Sequence, residues 1–303
     1  NIAKEKYKLL QNSKNYSYLN IDCNYSLQYS EKILNNKLYY TTNIDKIDKK
    51  LDVYWIDYDL LLEWFFPKTT FKLISQQKEI FDVKSNIIWT ENIWYISIWY
   101  DILDKIYKYY YSSGFFEVLI NKKIDLELTL QESRFSIFSW LNESILIDST
   151  YNSSPWSMSV VLDNYELLSN TLYKDYKKVL VIWEMRELWN YSEQEHKNLA
   201  IRVNTLSKDI FVVWEEMKNY FIPEIERLWN EWVKFYKNSK LLWEDLKQFL
   251  YNNKKCIVLF KWSQNTIFLE EAVKIVQLNI EDNNKVCRQQ NFWLDKKSNF
   301  FDK

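Results

Sequence analysis

Two patterns of hydrophobic residues divide the chain. Before about residue 130, LDVYWIDYDLLLEW, TFKLIS and EIFDVKSNII alternate apolar and polar residues with period two. That pattern predicts strands that bury one face. IAKEKYKLL predicts a short helix and SYLNID a strand. In ENIWYISIWYDILDKIYKYYY the residues Ile93, Ile96, Tyr100 and Leu103 recur at helical spacing. FFEVLI and LELTL predict a strand pair around Asn121, Lys122 and Lys123.

From Arg134 onward apolar runs and helical patterns alternate. SILID leads into a helix from about Trp156, KKVLVI into YSEQEHKNLAIRVNTL, and DIFVV into EEMKNYF. VKFY precedes SKLLWEDLKQFLYN, and KCIVLF precedes TIFLEEAVKIVQL. Repeated strand-then-helix units predict an α/β fold with a doubly wound, mostly parallel, Rossmann-like sheet. The change of pattern places a domain boundary between residues 130 and 131, giving domains 1–130 and 131–303. Ligands of such sheets bind beyond the carboxyl ends of strands. The loops STYNSSP, EMREL and KWSQN therefore carry the chemistry.

Charge and composition narrow the classes. The 40 basic and 41 acidic side chains leave a net charge of -1, without the basic excess of a nucleic-acid-binding surface. No run reaches the roughly 18 apolar residues of a membrane span. The most apolar segment is broken by Thr90, Glu91, Asn92 and Asp101. Cys23, Cys256 and Cys287 lack metal-ligand spacing, which favours a reduced, cytoplasmic setting over a disulfide scaffold. His196 is the single histidine, so histidine-based metal clusters and nucleophilic triads are excluded by count. With neither an initiator Met nor a signal pattern, Asn1 reads as a cut end.

One count fits no ordinary chain. Average usage of about 7% would supply roughly twenty glycines, and this chain has Gly114 alone beside 15 Trp. The Trp residues stand where glycine is expected. Trp183, Trp214 and Trp262 close apolar strands, Trp189 precedes a helix for which Ser192 and Glu195 are the expected caps, and Trp229 and Trp232 flank a short polar link. Positive-φ turns and helix ends call for glycine, and a tryptophan Cβ makes them costly. Most of these positions are thus expected to be UGA codons that mean glycine.

Read with glycine at those positions, the chain resembles the Mur ligase family. STYNSSPWSM is similar to the family's Thr-Tyr-Asn-Ala-Asn-Pro-x-Ser-Met loop, VIWEMRELWNYSEQEH to Gly-Asp-Met-x-Glu-Leu-Gly with a following His, and VLFKWSQNTIFLEE to Lys-Gly-Ser-Arg before the last helix. Upstream, NIAKEKYKLL resembles the Ala-Lys-x-Lys helix, YLNIDC the Leu-Asn-x-Asp strand, IIWTENIWY the Gly-x-His-Asn-x-x-Asn helix start, and LQESRFSIF the Gly-Arg entry to the last domain. The resemblance implies that residues 1–130 are part of a β-rich α/β ATP-binding domain. Its P-loop and the domain for the uridine nucleotide would lie upstream. WFFPKTTF is not that P-loop, because Pro67 stands before Lys68 and has no N–H to offer phosphate.

The resemblance further implies ATP-driven amide formation with Mg²⁺. Its branch is the one that joins D-alanyl-D-alanine to a UDP-N-acetylmuramoyl-tripeptide, in a cytoplasmic and monomeric protein. Lys6 would be carbamylated and bind Mg²⁺; alternatively it is a solvated lysine. Asn92 would contact adenine or cap its helix, and the family's His and second Asn are Glu91 and Tyr95 here. Arg134 would reach ribose and phosphate, or be a surface charge. The family has two acids before the loop threonine where this chain has Asp148 and Ser149, which leaves the ribose contact of Asp148 open. Asn152 would be the loop's central polar group or form an Asx turn before Pro155. Lys261 and Ser263 would receive the dipeptide's carboxylate, with Gln264 in place of the family's arginine; Lys261 could instead simply leave a buried strand. Glu184, Glu187 and His196 would support the site, His196 structurally rather than as a base. A ligase for another amino acid and a non-catalytic Mur-like binding domain remain as alternatives.

Overall fold

The computed structural model describes residues 2–40, 53–64, 66–75, 78–88, 90–111, 122–128, 131–151, 153–237, 239–261, 273 and 286–301. The chain divides into two compact units, Asn1–Leu128 and Thr129–Lys303.

The first unit opens with α1 (Ile2–Gln11), β1 (Tyr16–Asn20), α2 (Asn24–Ser30) and β2 (Asn36–Tyr40), and β1 and β2 pair in parallel. Next come β3 (Val53–Glu63), β4 (Phe66–Ser75), β5 (Lys78–Ser85), α3 (Thr90–Tyr111) and β6 (Lys122–Leu126), whose strands form one sheet in the order β3-β4-β5-β6. The period-two alternation does what it predicts. Trp55, Phe71, Leu73, Phe81 and Val83 pack with Ile93, Trp94 and Ile96 of α3. Charged residues occupy the intervening positions, where Lys84 pairs with Glu63 at 2.8 Å and Asp125 at 2.9 Å. Lys68 lies in β4 and pairs with Glu127, so its segment is one strand of a hairpin rather than a phosphate loop.

Two expectations fail in this unit. Lys122 and Lys123 do not turn a hairpin; they open β6, opposite Phe81 and Asp82 of β5 in a parallel register. Parallel neighbours need a crossover of a dozen or more residues, and α3 lies between these two strands in sequence. FFEVLI lies outside the described residues. Asn92 does not cap α3, because the helix already begins at Thr90.

In the second unit β7 (Ser136–Trp140) and β8 (Ser144–Ser149) form an antiparallel pair, and α4 (Pro155–Asn170) follows. Then β9 (Lys177–Trp183), α5 (Ser192–Asn204), β10 (Asp209–Val213), α6 (Ile222–Arg227), β11 (Val233–Tyr236), α7 (Ser239–Asn252) and β12 (Cys256–Lys261) alternate before α8 (Asn291–Phe301). The sheet order is β11-β10-β9-β12-β8-β7, parallel except at the β7 edge. Every residue of β8 and β12 is buried, which is why these strands read as continuous apolar runs.

Side-chain hydrogen bonds lock this layer. Ser154 and Ser157 form a reciprocal capping box at the start of α4, with Pro155 at the first helical position. The Tyr165 hydroxyl of α4 accepts from Val179 N–H at 3.0 Å and donates to Ile257 C=O at 3.0 Å, fastening the helix to β9 and β12. Ser192 does not cap α5. A single turn, Trp189–Tyr191, runs directly into the helix with Tyr191 already in helical φ/ψ, and Ser192 Oγ donates instead to Glu216. The helix expected in TIFLEEAVKIVQL lies outside the described residues except for buried Val273.

Candidate active site

Strand order creates the site. β12 is inserted between β8 and β9, with Lys261 opposite Ser149 on one side and Ile182 on the other. The carboxyl ends of the three strands whose loops were singled out by sequence therefore stand side by side. No connected pair of strands would do this, since β8 and β9 are consecutive through α4 but do not touch.

Lys261 ends β12 with 1% of its surface exposed, and its Nζ donates to Ser149 C=O at 3.5 Å. Burial pushes its ammonium down to about 7; the Asp148 carboxylate works against this and Arg134 adds to it. Asp148, fully buried at the end of β8, accepts from Ser133 Oγ at 2.7 Å and from Thr150 N–H at 3.0 Å. Ser133 Oγ also accepts from Cys287 N–H at 3.0 Å. Asp148 thus ties the turn before β7 to the end of β8. It holds that turn rather than lying open to a ribose.

Arg134 follows in that turn. It is exposed, and its guanidinium lies over the Tyr151 ring at 4.4 Å. A planar cation stacked on an aromatic face and open to solvent is fitted to meet phosphate or ribose oxygens. Arg288 Nη2 donates to Tyr151 C=O at 3.4 Å and steadies the same loop. Ser133 and Tyr151 were not foreseen as working residues. Ser133 takes the glycine position of the Gly-Arg match at φ 54, and that backbone demand was the available signal.

The loop after β9 is held from beneath. His196 Nε2 accepts from Met185 N–H at 3.0 Å, while Nδ1 lies 2.7 Å from Ser192 C=O, which requires Nδ1 to carry the proton. Burial lowers its basicity, so the ring is a neutral brace. Glu184 is buried and accepts from Arg186 Nε at 2.8 Å, and its Oε2 has no hydrogen-bond partner among the described residues. Burial raises its carboxyl above the usual range against the pull of Arg186. Glu187 is exposed at φ 62. Asn152 and Ser263 lie outside the described residues. Asn92 is half-buried in the first turn of α3 in the other unit, and Lys6 lies on α1 with its side chain outside the described residues. No group of three His, Cys, Asp or Glu able to hold a metal occurs among the described residues.

Solved structures share this architecture. MurF from Acinetobacter baumannii superimposes with a TM-score of 0.65 at 14% identity, over 90% of this chain and 54% of that one. A second structure of it gives 0.61 at 15%, over 85% and 50%. The fold is that of the Mur ligases. UDP-N-acetylmuramate-alanine ligase MurC from Thermotoga maritima gives 0.54 at 15% identity, over 87% of this chain and 59% of that one. The chain thus spans about half the length of the Mur ligases it matches. No protein-family model and no curated protein sequence matches it. Among the described residues no helix is long and apolar enough to cross a membrane.

Proposed function

We propose that these residues belong to an ATP-dependent, Mg²⁺-requiring Mur ligase. It joins D-alanyl-D-alanine to a UDP-N-acetylmuramoyl-tripeptide in the cytoplasm, as a monomer. The observation that carries the reading is the juxtaposition of Lys261, the Asp148–Arg134 turn and the Glu184 loop at one edge of a parallel sheet with the Mur-ligase fold. Because the chain spans about half of its structural matches, the activity is that of the whole ligase containing it.

Each group has a part. Arg134, positioned by Asp148 and Tyr151, binds the nucleotide's ribose or phosphate. Lys261, with Ser263 two residues on in sequence, receives the carboxylate of the dipeptide, whose negative charge favours the ammonium form against burial. Glu184 supplies an acceptor for the incoming amine, and Glu187 belongs to the same loop. His196 keeps that loop in place through Met185 N–H. Asn152 belongs to the loop after β8, Asn92 contacts adenine, and Lys6 as a carbamate holds Mg²⁺, a cation that prefers oxygen. When bound, ATP with Mg²⁺ activates the tripeptide carboxylate by phosphorylation; the protein contributes positioning and charge neutralisation.

The MurC likeness keeps a single amino acid in view as the alternative acceptor. The test is phosphate release by the full-length ligase with UDP-N-acetylmuramoyl-tripeptide, ATP and Mg²⁺, comparing D-alanyl-D-alanine with single amino acids. Release dependent on the dipeptide supports the reading. Release with L-alanine and UDP-N-acetylmuramate, and none with the dipeptide, transfers the chain to the other branch. No release with any acceptor favours a non-catalytic binding domain.

A further inference from the structure

Twelve described non-glycine residues have positive φ, and four of the twelve are Trp, although Trp supplies only 15 of the 303 residues. Each of the four stands where the backbone itself calls for glycine. Trp64 is the first residue of the two-residue loop joining β3 to β4, between the paired Glu63 and Phe66, at φ 63. Two-residue hairpin loops take a positive φ at that position, which glycine, asparagine or aspartate normally supplies.

Trp229 makes the case at a helix end. α6 closes with Arg227 and the cap Leu228; Trp229 N–H then donates to Glu226 C=O at 2.9 Å and Asn230 N–H to Ile225 C=O at 3.3 Å. That bond pair is the Schellman motif, and the residue at its left-handed position, here at φ 59, is usually glycine. Trp189 adopts φ 52 at the entry to α5. Trp214, just past β10, adopts φ 92, beyond the left-handed helical well where a Cβ is tolerated at all.

At three of the four positions the ring does not account for the backbone. Trp64, Trp189 and Trp229 are 91%, 76% and 89% exposed, so three indoles stand in water on the tips of turns. Trp214 stacks on Trp183 with ring centroids 5.5 Å apart, filling the space at the carboxyl ends of β9 and β10 beside Arg186. Trp183 itself ends a strand, is buried and is not among the positive-φ residues, and Trp262 lies outside the described residues. Among the tryptophans of the described residues, the backbone requirement is therefore confined to four positions.

We propose that Trp64, Trp189, Trp214 and Trp229 are glycine in the native protein, encoded by UGA codons that its source reads as glycine. Four of the missing glycines and four of the surplus tryptophans are then one effect. At Trp214 the change also empties ligand-accessible space at the strand ends where α/β sheets bind substrates. This inference does not depend on the proposed ligase activity.

Peptide mass spectrometry of the protein isolated from its source, together with the codons of its gene, tests it. Glycine masses and UGA codons at the four positions are expected. Tryptophan masses or UGG codons at Trp64 and Trp229, the two positions with the most explicit turn geometry, overturn it. As a second measurement, the full-length chain is made with Trp or with Gly at all four positions. The glycine form should unfold at a temperature higher by several degrees; an equal or lower midpoint contradicts the proposal.

Discussion

Two lysines on two sheets show how differently one residue type behaves in the halves of this chain. Lys84 lies on the charged face of the four-stranded sheet, between Glu63 and Asp125, and those partners raise its pKa. Lys261 ends a strand buried on both faces, and burial lowers its pKa to about 7. A water-facing sheet can place a charge almost anywhere, because solvent screens it. A sheet buried on both faces can keep one only with a partner or a ligand. The lesson is that the informative charges are those in the second unit.

Core substitutions should separate the two faces most. Phe260→Ala, in a fully buried position of β12, is expected to cost about 3–5 kcal/mol in denaturant unfolding. Lys84→Ala should leave the midpoint of the first unit unchanged. A large loss from the second variant, or a negligible one from the first, would break the contrast.

Lys261 predicts a pH dependence of definite sign. Its folded pKa, about 7, lies below its ordinary value of 10.5. Between these values the unfolded chain binds more protons, so stability rises with pH across that window, and the burial penalty is fully present below it. Lys261→Met should flatten this rise and stabilise the protein at pH 6 by on the order of a few kcal/mol. Unfolding midpoints from pH 6 to 10 check it; an unchanged slope in the variant would mean Lys261 is not the titrating group.

Hydrogen-bond anchors should give smaller effects. Tyr165→Phe removes the hydroxyl shared by Val179 and Ile257 and is expected to cost about 1–3 kcal/mol. His196→Ala should cost about the same, by leaving Met185 N–H without its acceptor. It should also loosen the loop after β9, seen as faster amide exchange at Met185 than in the parent.

Much of this fold was legible in the sequence because its strands obey two simple rules. VLVI, IFVV and CIVLF are continuous because both faces are buried; YWIDYDL alternates because one face meets water. α2 was invisible, since NYSLQYS has seven residues and no apolar stripe. β6 was misread because its partner, β5, lies a helix away in sequence. Ser192 was misread because a preceding turn already supplies helical backbone. At the site, Lys261 and Arg134 could be marked by their positions at strand ends and turns. The buried Ser133–Asp148 link could not, because Ser133 is fifteen residues away from Asp148 and nothing in its local pattern announces the contact.

The central claim is that the ends of β8, β9 and β12 form one substrate site with separate places for nucleotide and acceptor. Steady-state kinetics of the full-length ligase carrying Lys261→Ala or Arg134→Ala test it most directly. Truncating one partner of a desolvated charge pair costs about 2–5 kcal/mol. Lys261→Ala should therefore raise KM for D-alanyl-D-alanine by at least about tenfold with little change for ATP, and Arg134→Ala should do the reverse. A Lys261→Ala enzyme whose dependence on the dipeptide equals that of the parent would contradict the assignment of this edge.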